Sequence, residues 1–157
     1  MINNSAHGNA SSLSQSDKDK LVAFLLQLDD SDAPLEAESA TLSGGAVTAS
    51  NHGGYSGTGF VDYPSSAGEA SFTVNADSAG TYVLAIRYAN GGGTSRPLNL
   101  EVNGTQVSAL AFAPSGDWAS WNVELVEITL NSGTNTLSLV GLTGAGGPNV
   151  DAITVRQ

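Results

Sequence analysis

The sequence predicts an all-β fold, a β-sandwich with one extra α-helix at its N-terminus. Three observations predict it. From Leu35 to the C-terminus, roughly nine or ten short apolar stretches are separated by turn signals at spacings of about 8–12 residues, which is the grammar of a sandwich. Glycine is abundant, at 19 of 157 residues, and charged residues are sparse, at 13%. Before Pro34 the apolar period is that of a helix rather than of a strand.

The elements follow in order. Residues 1–13 are small and polar. Ser16-Asp17-Lys18-Asp19 has the form of a helix N-cap with an acid at the third position. Leu21, Val22, Phe24, Leu25 and Leu28 recur at helical spacing, with Asp17, Lys18 and Lys20 on the other face. A helix is expected from Asp17 to Leu28. So short a helix is marginal alone in water and has to pack on something. Asp29–Pro34 ends it, so residues 1–34 read as tail, helix and linker, and 35–157 as the sandwich.

Leu35–Leu42 is the first expected strand and Val47–Ala49 the next. Ser50–Gly59 is a long glycine-rich loop, followed by Phe60–Tyr63. In Glu69–Val74, Ala70, Phe72 and Val74 alternate onto one face, as do Tyr82, Leu84, Ile86 and Tyr88 in Thr81–Tyr88. Asn90–Pro97 is a loop and Leu98–Val102 a strand. Asn103-Gly104 is a type I′ hairpin signal leading into Gln106–Phe112. Pro114–Trp121 precedes the stretches Asn122–Val126 and Glu127–Leu130. Thr134–Val140 places Leu137 and Leu139 towards the core, and Val150–Val155 is the last strand.

Composition excludes several functions. There is no cysteine, so disulfides, thiolate metal sites and a cysteine nucleophile are absent. Fifteen acidic residues against five basic ones give a formal net charge of −10. That disfavours nucleic acid and anionic membrane surfaces, both of which select basic proteins. No run of about 18 apolar residues spans a membrane. Met1-Ile-Asn-Asn-Ser-Ala-His-Gly lacks the basic start and apolar stretch of a signal peptide, so secretion would require the signal on a longer parent chain. Catalysis is not expected. No Gly-x-Ser-x-Gly, His-Glu-x-x-His or phosphate-binding loop occurs. His52 sits in a glycine loop within reach of a ligand but has no nucleophile or metal partner in the pattern.

The stretch Gly144–Val155 joins a glycine-rich loop to an apolar strand, and the join carries Asn149 and Asp151. If the strand has begun by Asn149, the two share a face. They are then either binding groups or parts of a closing hairpin. Glu36 and Glu38, two apart in an expected strand, point the same way; like charges so close need a cation or a solvated edge. Trp118 and Trp121, three apart, would take opposite faces of a strand, one in the core and one exposed.

The sandwich resembles carbohydrate-binding modules of families 6 and 35, closer to 35. The residues that carry this are Leu35-Glu-Ala-Glu38, Gly54–Val61, Tyr82–Asn90 through Arg96-Pro97, Val102-Asn-Gly104, Gly116–Trp121, Gly133–Leu137 and Gly147-Pro-Asn-Val-Asp151. The resemblance implies a non-catalytic jelly roll. It implies a structural calcium on Glu36, Glu38 and Asp151, with carbonyls from the loop near Ser56. It places Trp118 as a stacking platform, with Trp121 in the core and Tyr55 as the second aromatic. Asn149 would bond the sugar, with Asn90 and Arg96 at the rim. Arg96 suits a uronic acid if it is not held in a salt bridge. The expected partner is a polysaccharide or oligosaccharide, and the expected setting is extracellular, on a plant or algal wall. The competing reading is a structural or docking sandwich that assembles through the 17–28 helix. Leu13–Leu28 resembles the last helix of a c-type cytochrome domain. The haem-binding Cys-x-x-Cys-His is absent, so no haem function carries over; the attached domain of the parent would be catalytic or redox.

Overall fold

The computed structural model describes residues 33–157, so the helix expected at 17–28 lies outside the described residues. Among the described residues eleven strands are formed: β1 (Leu35–Glu36), β2 (Thr41–Ser43), β3 (Val47–Ala49), β4 (Phe60–Asp62), β5 (Glu69–Ala76), β6 (Gly80–Ala89), β7 (Arg96–Val102), β8 (Thr105–Phe112), β9 (Trp121–Leu130), β10 (Gly133–Gly141) and β11 (Asn149–Arg156). They make two antiparallel sheets packed as a sandwich. One has the order β3-β4-β11-β6-β9, with β1 on β11; the other has the order β2-β5-β10-β7-β8. Among the described residues no helix is long and apolar enough to cross a membrane.

The alternation seen in the sequence builds the core. Phe72 and Val74 of β5, the Tyr82–Tyr88 row of β6, Leu98 and Leu100 of β7, and Leu137 and Leu139 of β10 are all buried in one cluster. Each large apolar side chain so buried stabilises the fold by about 1.5–3 kcal/mol. Tyr88 meets Phe112 edge to face at 4.8 Å between centroids. The β7–β8 hairpin turns at Asn103 and Gly104, both at positive φ (52° and 77°), as a type I′ turn requires.

Two expectations change. Leu35–Leu42 is not one strand. A single 3-10 turn at Ala37–Ser39 breaks it, because the chain crosses there from one sheet to the other: β1 pairs β11, and β2 pairs β5. Ala37, wholly buried, anchors the crossing. Likewise Asn122–Val126 and Glu127–Leu130 are one strand, β9, paired along its whole length with β6.

The sheet containing β11 also sets up its outer face. Asn149 pairs with Ala89, and Ala89 with Trp121, so these three stand in one row across β11, β6 and β9. After Val150 the register of β11 slips, so that Ala152 rather than Asp151 opposes Arg87. Asp151 is the extra residue of a β-bulge. A bulge interrupts the strict alternation and re-aims a side chain.

Candidate functional site

At the end of this sheet a pocket is lined by Asn51, His52, Phe60, Asp62, Tyr63, Pro64, Arg96, Trp118 and Asn149. Asn51 and His52 come from the 50–59 loop. Phe60 and Asp62 stand on β4, Asn149 opens β11, Arg96 opens β7, and Trp118 comes from the loop before β9. Asn149 is only 3% exposed, and among the described residues its carboxamide has no side-chain partner. Its polar atoms are therefore available to whatever fills the pocket.

Trp118 is half-buried and held on three sides. Its ring lies over Gly91, where a Cβ would overlap the indole, so only glycine fits. Its indole is stacked with His52 at 6.0 Å between centroids and 27° between planes. The Arg96 guanidinium sits 5.0 Å from the ring centroid, a cation–π distance. Arg96 also donates from Nη1 to the carbonyls of Ala145 (2.6 Å) and Gly147 (3.3 Å). Asp151 is paired with Arg87, and among the described residues Arg96 brings its charge to the pocket without a carboxylate on it.

The structure thus brings Trp118, Asn149 and Arg96 into one pocket and leaves Asn90 and Tyr55 out of its lining. Asn90 is wholly buried. Its Nδ2 donates to the carbonyls of Thr94 (3.0 Å) and Phe112 (2.9 Å), and its Oδ1 accepts from Gly92 N–H (2.9 Å). It shapes the rim from beneath rather than lining it. Tyr55 lies outside the pocket lining and packs on Phe60, 5.8 Å between centroids. His52, expected within reach of a ligand, does line the pocket, and so does Asp62, to which the sequence pattern assigned no role. The glycines around His52 marked a loop, but not which way that loop folds.

Trp121 differs from the expectation as well. It is half-buried, not core. Opposite faces require both indoles on one strand, but β9 begins at Trp121 and Trp118 lies in the preceding loop. Trp121 sits on the outer face against Phe60 (5.6 Å), and Phe60 meets His52 (6.0 Å), so both indoles belong to one aromatic cluster outside the core. Its Nε1 donates to the Gly53 carbonyl at 2.9 Å.

Beside this cluster three carboxylates surround residues 56–58. Ser56 Oγ donates within 2.8 Å of both Glu36 Oε2 and Asp151 Oδ2, and Ser56 N–H donates to Asp151 Oδ1 at 2.8 Å. Thr58 N–H donates to Glu38 Oε1 at 2.6 Å. Glu36 and Glu38 do not share a strand, since Glu38 is in the 3-10 turn, yet both reach Gly57. A Cβ there would overlap Glu38 Oε1 and come within 3.1 Å of Glu36, and φ is +62°. Burial, with Asp151 and Glu38 nearby, raises the Glu36 carboxyl above its ordinary range against the Ser56 bond. Burial opposes ionisation of Glu38 too, but the Thr58 bonds outweigh it and hold that carboxyl low. Glu38 Oε2 is buried without a partner. The donors are all hard oxygens of the kind calcium takes. Among the described residues, however, no three such groups stand in a ready-made metal cage. Ser56 lies between Glu36 and Asp151, and Arg87 is paired to Asp151 Oδ2.

Comparison with known proteins is consistent across sequence and structure. Residues 33–157 match the model of carbohydrate binding module family 35. An exo-beta-D-glucosaminidase of Amycolatopsis orientalis is 50% identical over 122 residues, covering 76% of this chain and 12% of that protein. A 1,6-alpha-glucosyltransferase of Sporosarcina globispora is 40% identical over 121 residues, 75% of this chain and 9% of that one. The chain thus spans only a small part of the enzymes it matches. Among solved structures, a family 35 carbohydrate binding module from Clostridium thermocellum is 35% identical with a TM-score of 0.76, covering 80% of this chain and 97% of that one. A family 35 module from Paenibacillus barcinonensis is 36% identical with a TM-score of 0.71, covering 80% and 98%. With a sandwich of this topology and a family match over every described residue, the chain belongs to the family 35 carbohydrate-binding modules, non-catalytic domains that occur within larger carbohydrate-active enzymes.

Proposed function

We propose that this module holds a parent enzyme on polysaccharide by binding one or two sugar units in the pocket between Trp118 and Asn149. The observation that carries this is their convergence with Arg96: an aromatic face, a free carboxamide and a cation without a carboxylate, drawn from three elements into one pocket. Sugar rings present C–H faces that stack on an indole, while amide and guanidinium groups read hydroxyls and carboxylates. Arg96 favours a uronic acid, since a guanidinium engages a carboxylate in a fork. Tyr55 supports Phe60 below the pocket, and Asn90 braces the rim. Glu36, Glu38 and Asp151 would hold a calcium, whose charge would offset three close carboxylates. The polysaccharide target, of plant or algal wall type, places the parent outside the cell. The enzymes that share this module favour a catalytic attached domain over a redox one.

Isothermal titration with D-glucuronic acid and D-glucose tests the reading. A single site of this kind binds in the micromolar to millimolar range, roughly −8 to −4 kcal/mol. Trp118→Ala should abolish binding while the fold persists. Arg96→Ala should remove any preference for glucuronic acid, and added salt should weaken that preference in the wild type. Full binding by Trp118→Ala would refute the site.

A further inference from the structure

Arg87 lines neither the pocket nor residues 56–58, yet it touches the surroundings of both. It stands on the outer face of β6, opposite Val123 and Ala152. Its Nη1 is paired with Asp151 Oδ2, and its Nη2 donates to the Gly54 carbonyl at 2.8 Å. Its guanidinium lies 5.2 Å from the centroid of Trp121, whose own Nε1 holds the Gly53 carbonyl. Two successive carbonyls of the 50–59 loop are therefore tied down at this point. On one side of the tie the loop carries His52, which lines the pocket and stacks on Trp118. On the other it carries Ser56 and Thr58, which bond to Asp151, Glu36 and Glu38.

We propose that Arg87 is a positioning residue that couples the two sites with opposite signs. This rests on the sugar and calcium readings above. The guanidinium neutralises Asp151 and holds Gly54, so it keeps the loop in the shape that seats His52 against Trp118; in this way it favours sugar binding. The same positive charge lies on an oxygen that a calcium ion would use. It repels the ion and competes for the carboxylate, so it disfavours calcium binding. Two like charges a few ångströms apart in a partly exposed site interact strongly enough to change an affinity at least about tenfold. Arg87→Met removes both contacts, whereas Arg87→Lys keeps the charge and loses the planar fork.

The test is calorimetry on chelator-stripped protein, with calcium chloride alone and with D-glucuronic acid alone. Arg87→Met should bind calcium about tenfold or more tightly than wild type, and glucuronic acid about tenfold or more weakly, the loss expected when a charged hydrogen bond goes. Arg87→Lys should bind calcium within about threefold of wild type, because the charge remains, yet bind the sugar more weakly. Opposite shifts separate positioning from general loosening, which would weaken both ligands together. If the methionine variant does not fold, the lysine variant decides. Wild type binding both ligands while Arg87→Met moves both in one direction, or neither, overturns the coupling. Wild type binding neither ligand overturns the two site readings, and the coupling with them.

Discussion

Replacing Asn90 with alanine separates a framework role from a ligand contact. The side chain makes three hydrogen bonds at 2.9–3.0 Å, to Thr94 O, Phe112 O and Gly92 N–H, and is 0% exposed. At a net 0.5–1.5 kcal/mol each, with buried groups left unpaired, the loss comes to about 2–4 kcal/mol. For a domain of this size that corresponds to a fall in Tm of roughly 8–16 °C. The effect should extend to the loop that carries Trp118. Asn90 N–H donates to Ser115 Oγ at 2.9 Å and its carbonyl accepts from Ser115 N–H at 2.8 Å, so the Asn90 backbone ties that loop down. Asn90→Asp should cost at least as much, because it turns two donors into an acceptor facing two carbonyls. Urea or thermal denaturation followed by tryptophan fluorescence measures this, with sugar titration alongside. An unchanged Tm with sugar binding lost would refute the framework argument and return Asn90 to direct ligand contact.

Trp121→Ala should destabilise less than a core truncation, by about 1–3 kcal/mol instead of 3–5, because the indole is half-buried. It should also weaken sugar binding through Phe60 and His52, which a denaturation curve and a titration would show together. Calcium bound by the folded state alone adds stability by mass action, so chelation should lower Tm, and Glu38→Ala should abolish that response. The sign for Glu36 follows from its raised carboxyl. Its contribution is full below the ordinary carboxylate range and is lost as pH rises through the raised value. In chelator, Glu36→Gln should therefore raise Tm at neutral pH and have little effect in acid; a Tm lowered equally at both would contradict it. Gly57→Ala should destabilise at every pH, since its Cβ meets Glu38 and its φ is positive.

Much of this protein was legible in one dimension. A period of two along β5, β6 and β10 fixes which side chains enter the core, because successive residues of a strand must face opposite sides. Asn103-Gly104 fixes its hairpin, because few residue pairs accept two positive φ values in succession. Trp118, Arg96 and Asn149 could be picked out through family-like motifs, and the fold does bring them together. Other features depend on partners distant in sequence. The bulge at Asp151 exists because β6 opposes Ala152 with Arg87, and no local pattern in Asn149–Val155 announces it. The family resemblance put Asn90 at the rim; its bonds to the carbonyls of Thr94 and Phe112 turn it inward. Spacing put one of Trp118 and Trp121 in the core and the family resemblance chose Trp121, but where β9 starts is set by the pairing of Trp121 with Ala89. Arg87 reads as an ordinary outward residue of an alternating strand, and becomes a junction only when Asp151, Gly54 and Trp121 arrive from three other parts of the chain. Alternation and turn chemistry act between neighbours and are written in the sequence, whereas the polar bonds that build a site form across sheets and loops, where only the tertiary fold determines which groups meet.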